Sequence, residues 1–294
     1  MNDLESFQKN GFLGPIKLYE PEEARDLLHQ IRIGNQDRSR ILFDNDVNYD
    51  RHFDIPELAT HVGHPRIIEK LRPLLGDHLL CWRTEFFPKF PGSAGTEWHQ
   101  VATYQYATGS PFLQADHDVW GDRPIDLTVW TAFTDATREN GCMKFLPGSH
   151  TRMYYDESKQ SSKGRGAEYR SVTAGTSFFG YDFEDFKVDP GWMPDESAAV
   201  TMEMKAGECV IFTAKCVHAS HPNTTERSTR FAIASRYVPT YVRVYSDLAS
   251  FHAHGGHFDL ADYGCVLVSG TDRHEHNRIR RRDNWDNEFP HRPA

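Results

Sequence analysis

The residues best suited to chemistry lie in the segment 96–104, which has His99 near its centre. In many mononuclear non-haem iron sites, two histidines and one carboxylate hold the metal and leave its opposite face open. Because residues i and i+2 of a strand point to the same side, one strand can supply a histidine and that carboxylate. The residue two positions after His99 is Val101, which cannot bind a metal. The site is therefore inactive, completed by a residue from elsewhere, or built to leave one iron position open for an anion.

A second candidate ligand, His218, follows an apolar strand-like segment at 209–213 and precedes a strand that carries Arg230 and Arg236. This order suits a site for 2-oxoglutarate, which chelates iron through its C1 carboxylate and keto oxygen. The far carboxylate of 2-oxoglutarate needs a fixed, permanently charged, two-pronged partner, and arginine supplies that better than lysine. Arg230 and Arg236 are six residues apart, so on a regular strand they share a face. One arginine could clamp the co-substrate while the other acts nearer the metal.

Each of these residues also has an ordinary structural interpretation. Any single one of the sixteen histidines is more often a hydrogen-bonded core or surface residue than a metal ligand. Joint context favours His99 and His218, because each adjoins an apolar strand and the second precedes the two arginines. Thr128 and Trp130, taken alone, are typical core and sheet residues.

The rest of the chain predicts the elements that must position these residues. Apolar residues at helical spacing predict helices at 20–33 and 65–75, with a short helix at 5–10, whereas 37–61 is polar and predicts a surface loop. The polar segment 151–175 is predicted to form a lid. Many short strands with turns between them favour an antiparallel barrel or a double-sheet roll. The strand-like segments are 79–87, 96–106, 127–134, 142–146, 199–204, 209–213 and 230–238.

Composition limits the class of protein. A chain of 294 residues can bury one sizeable core, so we expect one domain with elaborations. No apolar run approaches the roughly 20 residues of a membrane span, and the start lacks the pattern of a signal peptide. Five scattered cysteines favour reduced thiols in a cytoplasmic protein. The formal charge of −9 argues against a nucleic-acid partner, and the arginine-rich run at 278–282 predicts a solvated face.

Several motifs together resemble one known family, the phytanoyl-CoA dioxygenase superfamily. Within it the chain is most similar to the iron/2-oxoglutarate halogenases of the syringomycin type, which chlorinate an unactivated methyl group of an amino acid tethered to a carrier protein. The resemblance extends over about residues 80–270. The motifs are Thr96-Glu97-Trp98-His99-Gln100, the segment 128–136, Asn140-Gly141-Cys142, Phe145-x-Pro147-Gly148-Ser149 and His218-Ala219-Ser220.

The resemblance implies a mainly β fold: a double-stranded β-helix (jelly-roll, cupin-like) core with N-terminal and peripheral α-helices. It implies a single domain at 1–294. Within this domain, a helical N-terminal elaboration would extend to about residue 77, the jelly roll would occupy about 78–240, and a C-terminal extension would occupy about 241–294.

The resemblance also implies a cofactor set of Fe(II), 2-oxoglutarate, dioxygen and chloride, and it assigns roles to residues. His99 and His218 would be the iron ligands. Arg230 would hold the far carboxylate of 2-oxoglutarate, with Thr96 and Trp130 as helpers. Thr128 and Arg236 would organise water and the halide near the metal.

Val101 acquires a physical meaning in this context. Iron(II) with two neutral histidines and the 2-oxoglutarate dianion is formally neutral, so chloride can take the position that an aspartate usually fills. The chain departs from the halogenase pattern at this position, where Ala or Gly is usual, and overpacking a tight pocket commonly costs about 1–3 kcal/mol. Further departures are Tyr104 in place of Phe, Tyr106 in place of Asn and Ala214 in place of Ser.

Three hypotheses about function remain open. The leading one is a halogenase that acts on a small-molecule amino-acid substrate, free or on a phosphopantetheinyl carrier protein, in natural-product biosynthesis. The alternative is a hydroxylase or other oxidase on the same scaffold, with water or a side chain from 114–118 at the third iron position. The third is a binding protein that has lost its metal. In each case we expect no membrane partner.

Overall fold

The computed structural model describes residues 2–45, 48–121, 123–159, 182–253 and 256–294. Most of the predicted lid, residues 160–175, lies outside this set. Among the described residues the α-helices are α1 (Asp3–Asn10), α2 (Pro21–Gly34), α3 (Pro56–Val62) and α4 (Pro65–Leu75). None of them is long and apolar enough to cross a membrane.

The helices predicted near the N-terminus are confirmed as α1, α2 and α4, with ends within two residues of the predicted ones. The prediction of one continuous surface loop at 37–61 was wrong, because α3 begins within it and Leu58 and Val62 are fully buried. The same segment buries Arg51, whose guanidinium lies 2.7 Å from the Asp54 carboxylate. An ion pair therefore allows polar residues of this segment to be buried, which a hydropathy pattern cannot show.

The strands form two main sheets, and this confirms the mainly β, double-sheet core. In chain order the strands are β1 (Phe12–Lys17), β2 (Leu79–Lys89), β3 (Thr96–His99), β4 (Leu113–Gln114), β5 (Leu127–Ala132), β6 (Met143–Phe145), β7 (Val200–Met202), β8 (Glu208–Phe212), β9 (His218–Ser220), β10 (Arg230–Pro239), β11 (Arg243–Val244), β12 (Ser250–Ala253), β13 (Gly256–Asp259), β14 (Cys265–Ser269) and β15 (Ile279–Arg280). The larger sheet has the order β1-β8-β5-β10-β2-β14-β15, the smaller has the order β3-β9-β6-β7, and two ribbons pair β11 with β4 and β12 with β13.

Alternation along the central strand β5 separates the two faces of the larger sheet. Leu127 and Val129 join the main hydrophobic cluster with α4, whereas Trp130 and Ala132 join a second cluster with residues of the smaller sheet. Every residue of β5 is buried, because β8 and β10 flank it on either side. Successive strand residues point to opposite faces, so the even-numbered side chains of β5 face the smaller sheet.

The predicted strand at 96–106 is shorter than expected. β3 ends at His99, and the chain then turns through Tyr104, which has a positive φ of 63°, into a 3-10 turn at Gln105–Ala107. Val101 is therefore not a strand residue, although its backbone N–H donates to the Ala214 carbonyl at 2.9 Å. Strand alternation therefore applies at His99, the last residue of β3, and not at Val101.

The segment after residue 240 contributes to the core as well as to the surface. β14 pairs with β2 in the larger sheet, and the Arg280 guanidinium packs over the Phe53 ring at 4.7 Å. Arg278, Arg281 and Arg282 are exposed, as the predicted solvated face requires. All five cysteines are buried and none forms a disulfide.

The buried imidazole of His61, in the last turn of α3, makes the stability of the fold depend on pH. Its Nδ1 lies 2.8 Å from the Tyr19 hydroxyl and its Nε2 lies 3.3 Å from the Thr131 hydroxyl, and burial lowers its pKa from 6.5 to about 3. The folded protein keeps this ring neutral while the unfolded chain protonates it below pH 6.5. Acid therefore favours unfolding by up to about 1.4 kcal/mol per pH unit for this group.

We expect His61→Gln to be less stable than the parent at pH 7.5, with a deficit that shrinks as the pH falls through 6.5 towards 4. The reason is that glutamine keeps a polar side chain in place but takes up no proton on unfolding. Urea unfolding followed by circular dichroism at several pH values measures the difference in free energy of unfolding. A deficit that stays constant with pH would contradict the assigned protonation state.

Candidate metal centre

The two candidate ligands lie directly opposite one another in the smaller sheet. His99 at the end of β3 and His218 at the start of β9 are cross-strand partners in an antiparallel pair. Their ring centroids are 4.1 Å apart, and both residues are buried. Opposed positions in such a pair hold their side chains side by side on one face, so the two imidazoles are close enough to share one ion.

The hydrogen bonds of the two rings fix their tautomer. Nδ1 of His99 lies 2.8 Å from the Glu97 carbonyl oxygen, and Nδ1 of His218 lies 2.7 Å from the Cys216 carbonyl oxygen. A carbonyl oxygen only accepts, so each Nδ1 carries the proton and each lone pair is on Nε2. A metal-binding histidine commonly has this arrangement.

Burial keeps both rings uncharged. It lowers the pKa of His99 from 6.5 to about 4 and lowers the pKa of His218 well below its usual value. A neutral imidazole is the form that binds a metal, so metal binding at neutral pH does not require either histidine to lose a charge-carrying proton. These two residues therefore fit Fe(II) as a pair of Nε2 ligands.

A third protein ligand is missing from the part of the chain that the structure describes, where no three His, Cys, Asp or Glu residues group as a metal site. Val101 is 4% exposed and lines the same cavity as the two histidines. Asp116, a candidate to complete the site, instead pairs with Arg243 at 2.9 Å on the exposed surface, and His117 lies against Tyr241. The segment 114–118 therefore does not supply the third position in this structure.

Arg230 has the environment expected of an anion-binding residue. It is 3% exposed, and its Nη1 donates to the Phe87 carbonyl at 2.8 Å and its Nε to the Gly141 carbonyl at 3.2 Å. Its guanidinium lies over the Trp130 ring, 4.9 Å from the centroid. Among the described residues no acid pairs with it, and burial lowers its pKa from 12.5 to about 9. A buried cation of this kind is stabilised when an anion binds beside it.

Arg236 is charge-compensated, in contrast to Arg230. Its Nη2 pairs with the Glu85 carboxylate at 2.7 Å, and its Nη1 donates to the hydroxyls of Tyr104 at 2.6 Å and Thr128 at 3.0 Å. Its charge helps to lower the pKa of both His99 and His218, so it lies on the metal side of the cavity. The two arginines of β10 thus differ in role as well as in place.

One cavity collects every residue that the sequence singled out for the site. These eight predicted site residues are Thr96, His99, Val101, Thr128, Trp130, His218, Arg230 and Arg236. The same cavity is also lined by Tyr104, Tyr106, Ala214 and Ser220. Their proximity follows from the pairing of β5 with β10 in one sheet and of β3 with β9 in the other.

Sequence reasoning missed the residues that support this cavity. The Tyr104 hydroxyl donates to the Asp126 carboxylate at 2.8 Å, and Asp126 also accepts from the Trp82 indole at 3.0 Å. Lys89, the cross-strand partner of Arg230, is buried at the end of β2. A charged residue inside the apolar strand-like run 79–87 was the available signal for Glu85, whereas Lys89 lies two residues beyond that run.

Comparison with known proteins gives the site a context. The family model for phytanoyl-CoA dioxygenase matches residues 7–232. The phytanoyl-CoA dioxygenase domain-containing protein 1 homolog of Dictyostelium discoideum is 34% identical over 100 residues, which are 34% of this chain and 30% of that protein. The chain thus spans about a third to a half of the length of the first curated relatives that it matches.

Solved structures match over nearly the whole chain. CytC3 with Fe(II) and alpha-ketoglutarate (2-oxoglutarate) is 37% identical, with a TM-score of 0.76 over 99% of this chain and 97% of that chain. The non-heme monooxygenase ThoJ in its apo form is 24% identical, with a TM-score of 0.68 over 97% of this chain and 90% of that chain. The second likeness shows the fold alone.

The contrast between the two arginines predicts opposite effects on stability. Arg230→Met removes a buried cation that lacks an acid, so without co-substrate we expect it to be as stable as the parent or more stable, by about 1–2 kcal/mol. Arg236→Met removes the shorter of the two arginine contacts of the buried Glu85 and leaves Arg83 at 3.6 Å, so we expect a loss of stability of about 3 kcal/mol. Urea unfolding of the three proteins measures both effects.

Binding of 2-oxoglutarate gives a second test of Arg230→Met. Arg230→Met should lose the rise in melting temperature that 2-oxoglutarate gives the metal-loaded parent, because the far carboxylate loses its charged partner. If Arg230→Met unfolds more easily than the parent and still responds to 2-oxoglutarate, the assignment of Arg230 is wrong.

Proposed function

Since the chain belongs to the phytanoyl-CoA dioxygenase family, we propose that it is an Fe(II)- and 2-oxoglutarate-dependent radical halogenase that chlorinates an unactivated aliphatic C–H bond. The observation that carries this proposal is the pair His99 and His218 with the hydrocarbon side chain of Val101 where a carboxylate is usual. Within the described residues no other acid or histidine completes the metal site. A non-haem iron enzyme of this family that lacks the carboxylate has a coordination position for an exogenous anion.

Each group in the cavity has a defined part in this proposal. Nε2 of His99 and of His218 would hold Fe(II), and Arg230 over Trp130, with Thr96, would hold the far carboxylate of 2-oxoglutarate. Bound iron, with 2-oxoglutarate and dioxygen, supplies the oxidation that breaks the C–H bond. The protein positions the reactants.

The halide side of the cavity is supported by charge and by available donors. Two neutral imidazoles leave the iron site without the negative charge of an aspartate, so a chloride restores the usual balance. Thr128 and Arg236 lie on this side, and Nε of Arg236 is buried without a hydrogen-bond partner among the described residues. An unsatisfied buried donor is costly, and a halide or a bound water would satisfy it.

For the substrate we propose an aliphatic amino acid, free or carried on a phosphopantetheinyl carrier protein, in natural-product biosynthesis. This part depends on the resemblance of the motifs described above. The net charge of −9 supports a partner other than nucleic acid. Five buried cysteines without a disulfide support a reducing, cytoplasmic location.

A hydroxylase or other oxidase is the second candidate, and Tyr104 favours it. The Tyr104 hydroxyl accepts from Arg236 at 2.6 Å and donates to Asp126 at 2.8 Å, so it already satisfies a donor that a halide would otherwise contact. Val101 also fills more of the third position than an alanine would. One fold accommodates different reactions, so the halide itself must be tested.

The first test is an anaerobic titration of the Fe(II) protein with 2-oxoglutarate, with and without chloride. We expect chloride to shift the metal-to-ligand absorption band and to tighten 2-oxoglutarate binding, because the anion completes the coordination. With dioxygen and substrate, chlorinated product should then appear. An unchanged band together with products that carry oxygen from dioxygen would identify the hydroxylase instead.

A matched pair of variants at Val101 gives the second test. Val101→Ala removes two methyl groups beside the anion position, so we expect chloride affinity to rise, by about 3-fold or more. Val101→Asp supplies a carboxylate in that position, so we expect it to abolish the chloride response while Fe(II) still binds. If Val101→Asp leaves the products unchanged or raises turnover, the position does not hold a halide in the parent.

A further inference from the structure

We propose that Lys89 is a positioning residue that sets the direction of a hydrogen-bond chain through Ser220 to Thr96, so that the Thr96 hydroxyl donates to the far carboxylate of 2-oxoglutarate. This inference deepens the proposed function, on which it rests, because it concerns the same co-substrate site. Lys89 does not line the cavity and would act through the two hydroxyl groups that do.

Lys89 is held in one orientation by three acceptors. It is 3% exposed, and its Nζ donates to the Ala94 carbonyl at 2.8 Å, to the Ser220 hydroxyl at 2.9 Å and to the His221 carbonyl at 3.0 Å. An ammonium group has three N–H donors and no acceptor, so these three contacts occupy all of its donors. All three acceptors are neutral.

The direction of the next hydrogen bonds follows from counting lone pairs. Ser220 Oγ accepts from Lys89 Nζ and from the backbone N–H of Thr96 at 3.2 Å. A hydroxyl oxygen has two lone pairs, so its own O–H must be the donor in the 2.9 Å contact with Thr96 Oγ1. Thr96 Oγ1 is then an acceptor in that contact, and its own hydrogen remains for the cavity.

The cavity side of Thr96 is where the far carboxylate is expected. Thr96, Ser220, Trp130 and Arg230 line the same cavity, and Arg230 is the register partner of Lys89 across β10 and β2. Two buried cations, neither paired with an acid among the described residues, therefore flank this end of the site. Such a pair favours a bound anion, and a donor hydroxyl beside them adds a directed hydrogen bond to its charged oxygen.

The surrounding backbone is shaped to bury the lysine. Gly141 has a positive φ of 96°, and a Cβ at this position would collide with Cδ of Lys89. Burial, and then the charge of Arg230, lowers the pKa of Lys89 from 10.5 to about 7. An anion bound nearby favours the charged form, so the ammonium group that directs the chain belongs to the state with co-substrate bound. The buried positive charge of Lys89 thus destabilises the empty site, and the negative far carboxylate of the proposed co-substrate would compensate it.

The test measures co-substrate affinity of the anaerobic Fe(II) protein by its metal-to-ligand absorption band. Lys89→Met removes the charge and the three donors at similar volume. We expect it to weaken 2-oxoglutarate binding by about 10-fold or more, since a hydrogen bond to a charged group is lost. Binding of 2-oxopentanoate, which has a methyl group in place of the far carboxylate, should change by less than about 2-fold, because nothing at the far end is charged.

A double-mutant cycle shows whether Lys89 acts by orienting the Thr96 hydroxyl or only through its own positive charge. Thr96→Val should weaken 2-oxoglutarate binding by a similar factor, and Lys89→Met/Thr96→Val should be little weaker than either single variant, because both remove the same donor. Losses that multiply would show that Lys89 acts by charge alone and would overturn the relay. Unchanged affinity in Lys89→Met would overturn it too.

Further variants keep the test decisive. If Lys89→Met does not fold, Ser220→Ala removes the middle hydroxyl of the chain and leaves Lys89 in place, so the Thr96 hydroxyl loses the donor that orients it and the same weakening is expected. Affinity equal to the parent in Ser220→Ala would overturn the relay. A parent that fails to bind 2-oxoglutarate would refute the proposed function itself, whereas a parent that binds it through Arg230 but not through Lys89 refutes only this inference.

Discussion

The antiparallel pairing of β3 with β9 is the constraint on which the site depends. It sets His99 opposite His218, and the backbone carbonyls of Glu97 and Cys216 hold both rings in one tautomer. The remaining strands of the smaller sheet hold this pair in place, and the larger sheet brings the arginines of β10 to the same cavity. A slip of one residue in this pairing would turn one imidazole away from the other.

Charge is distributed in the cavity according to what each end must bind. At the metal end, Arg236 pairs with Glu85, which also lies 3.6 Å from Arg83, the Asp126 carboxylate lies nearby, and Val101 contributes no charge. At the far end, Arg230 and Lys89 are buried among neutral acceptors. The protein therefore keeps its uncompensated positive charge where a dicarboxylate would end, and it keeps the metal position neutral. Such a cavity costs stability when empty, which is usual for sites built to bind.

The polar groups around the cavity are arranged in directed chains. On one side Arg236 donates to the Tyr104 hydroxyl, which donates to Asp126; on the other Lys89 donates to Ser220. Arg236 can only donate, and Lys89 can only donate while it is protonated, so in that state the fold sets the orientation of the hydroxyl groups. Preorganised donors of this kind are worth more in a closed cavity than in water, because they need no reorganisation.

The sequence by itself determined the mainly β fold, the α1, α2 and α4 helices, the two histidines, the valine in place of a carboxylate and the shared face of Arg230 and Arg236. These follow from residue type and from periodicity along one strand or helix. Only the tertiary structure decided that β3 ends at His99, that Asp116 pairs with Arg243 outside the cavity of the two histidines, that α3 begins within 37–61, and that Lys89, Ser220 and Thr96 meet. The physical reason is distance along the chain: periodicity gives the face of a residue, whereas its partner more than a hundred residues away depends on which strands pair and in which register.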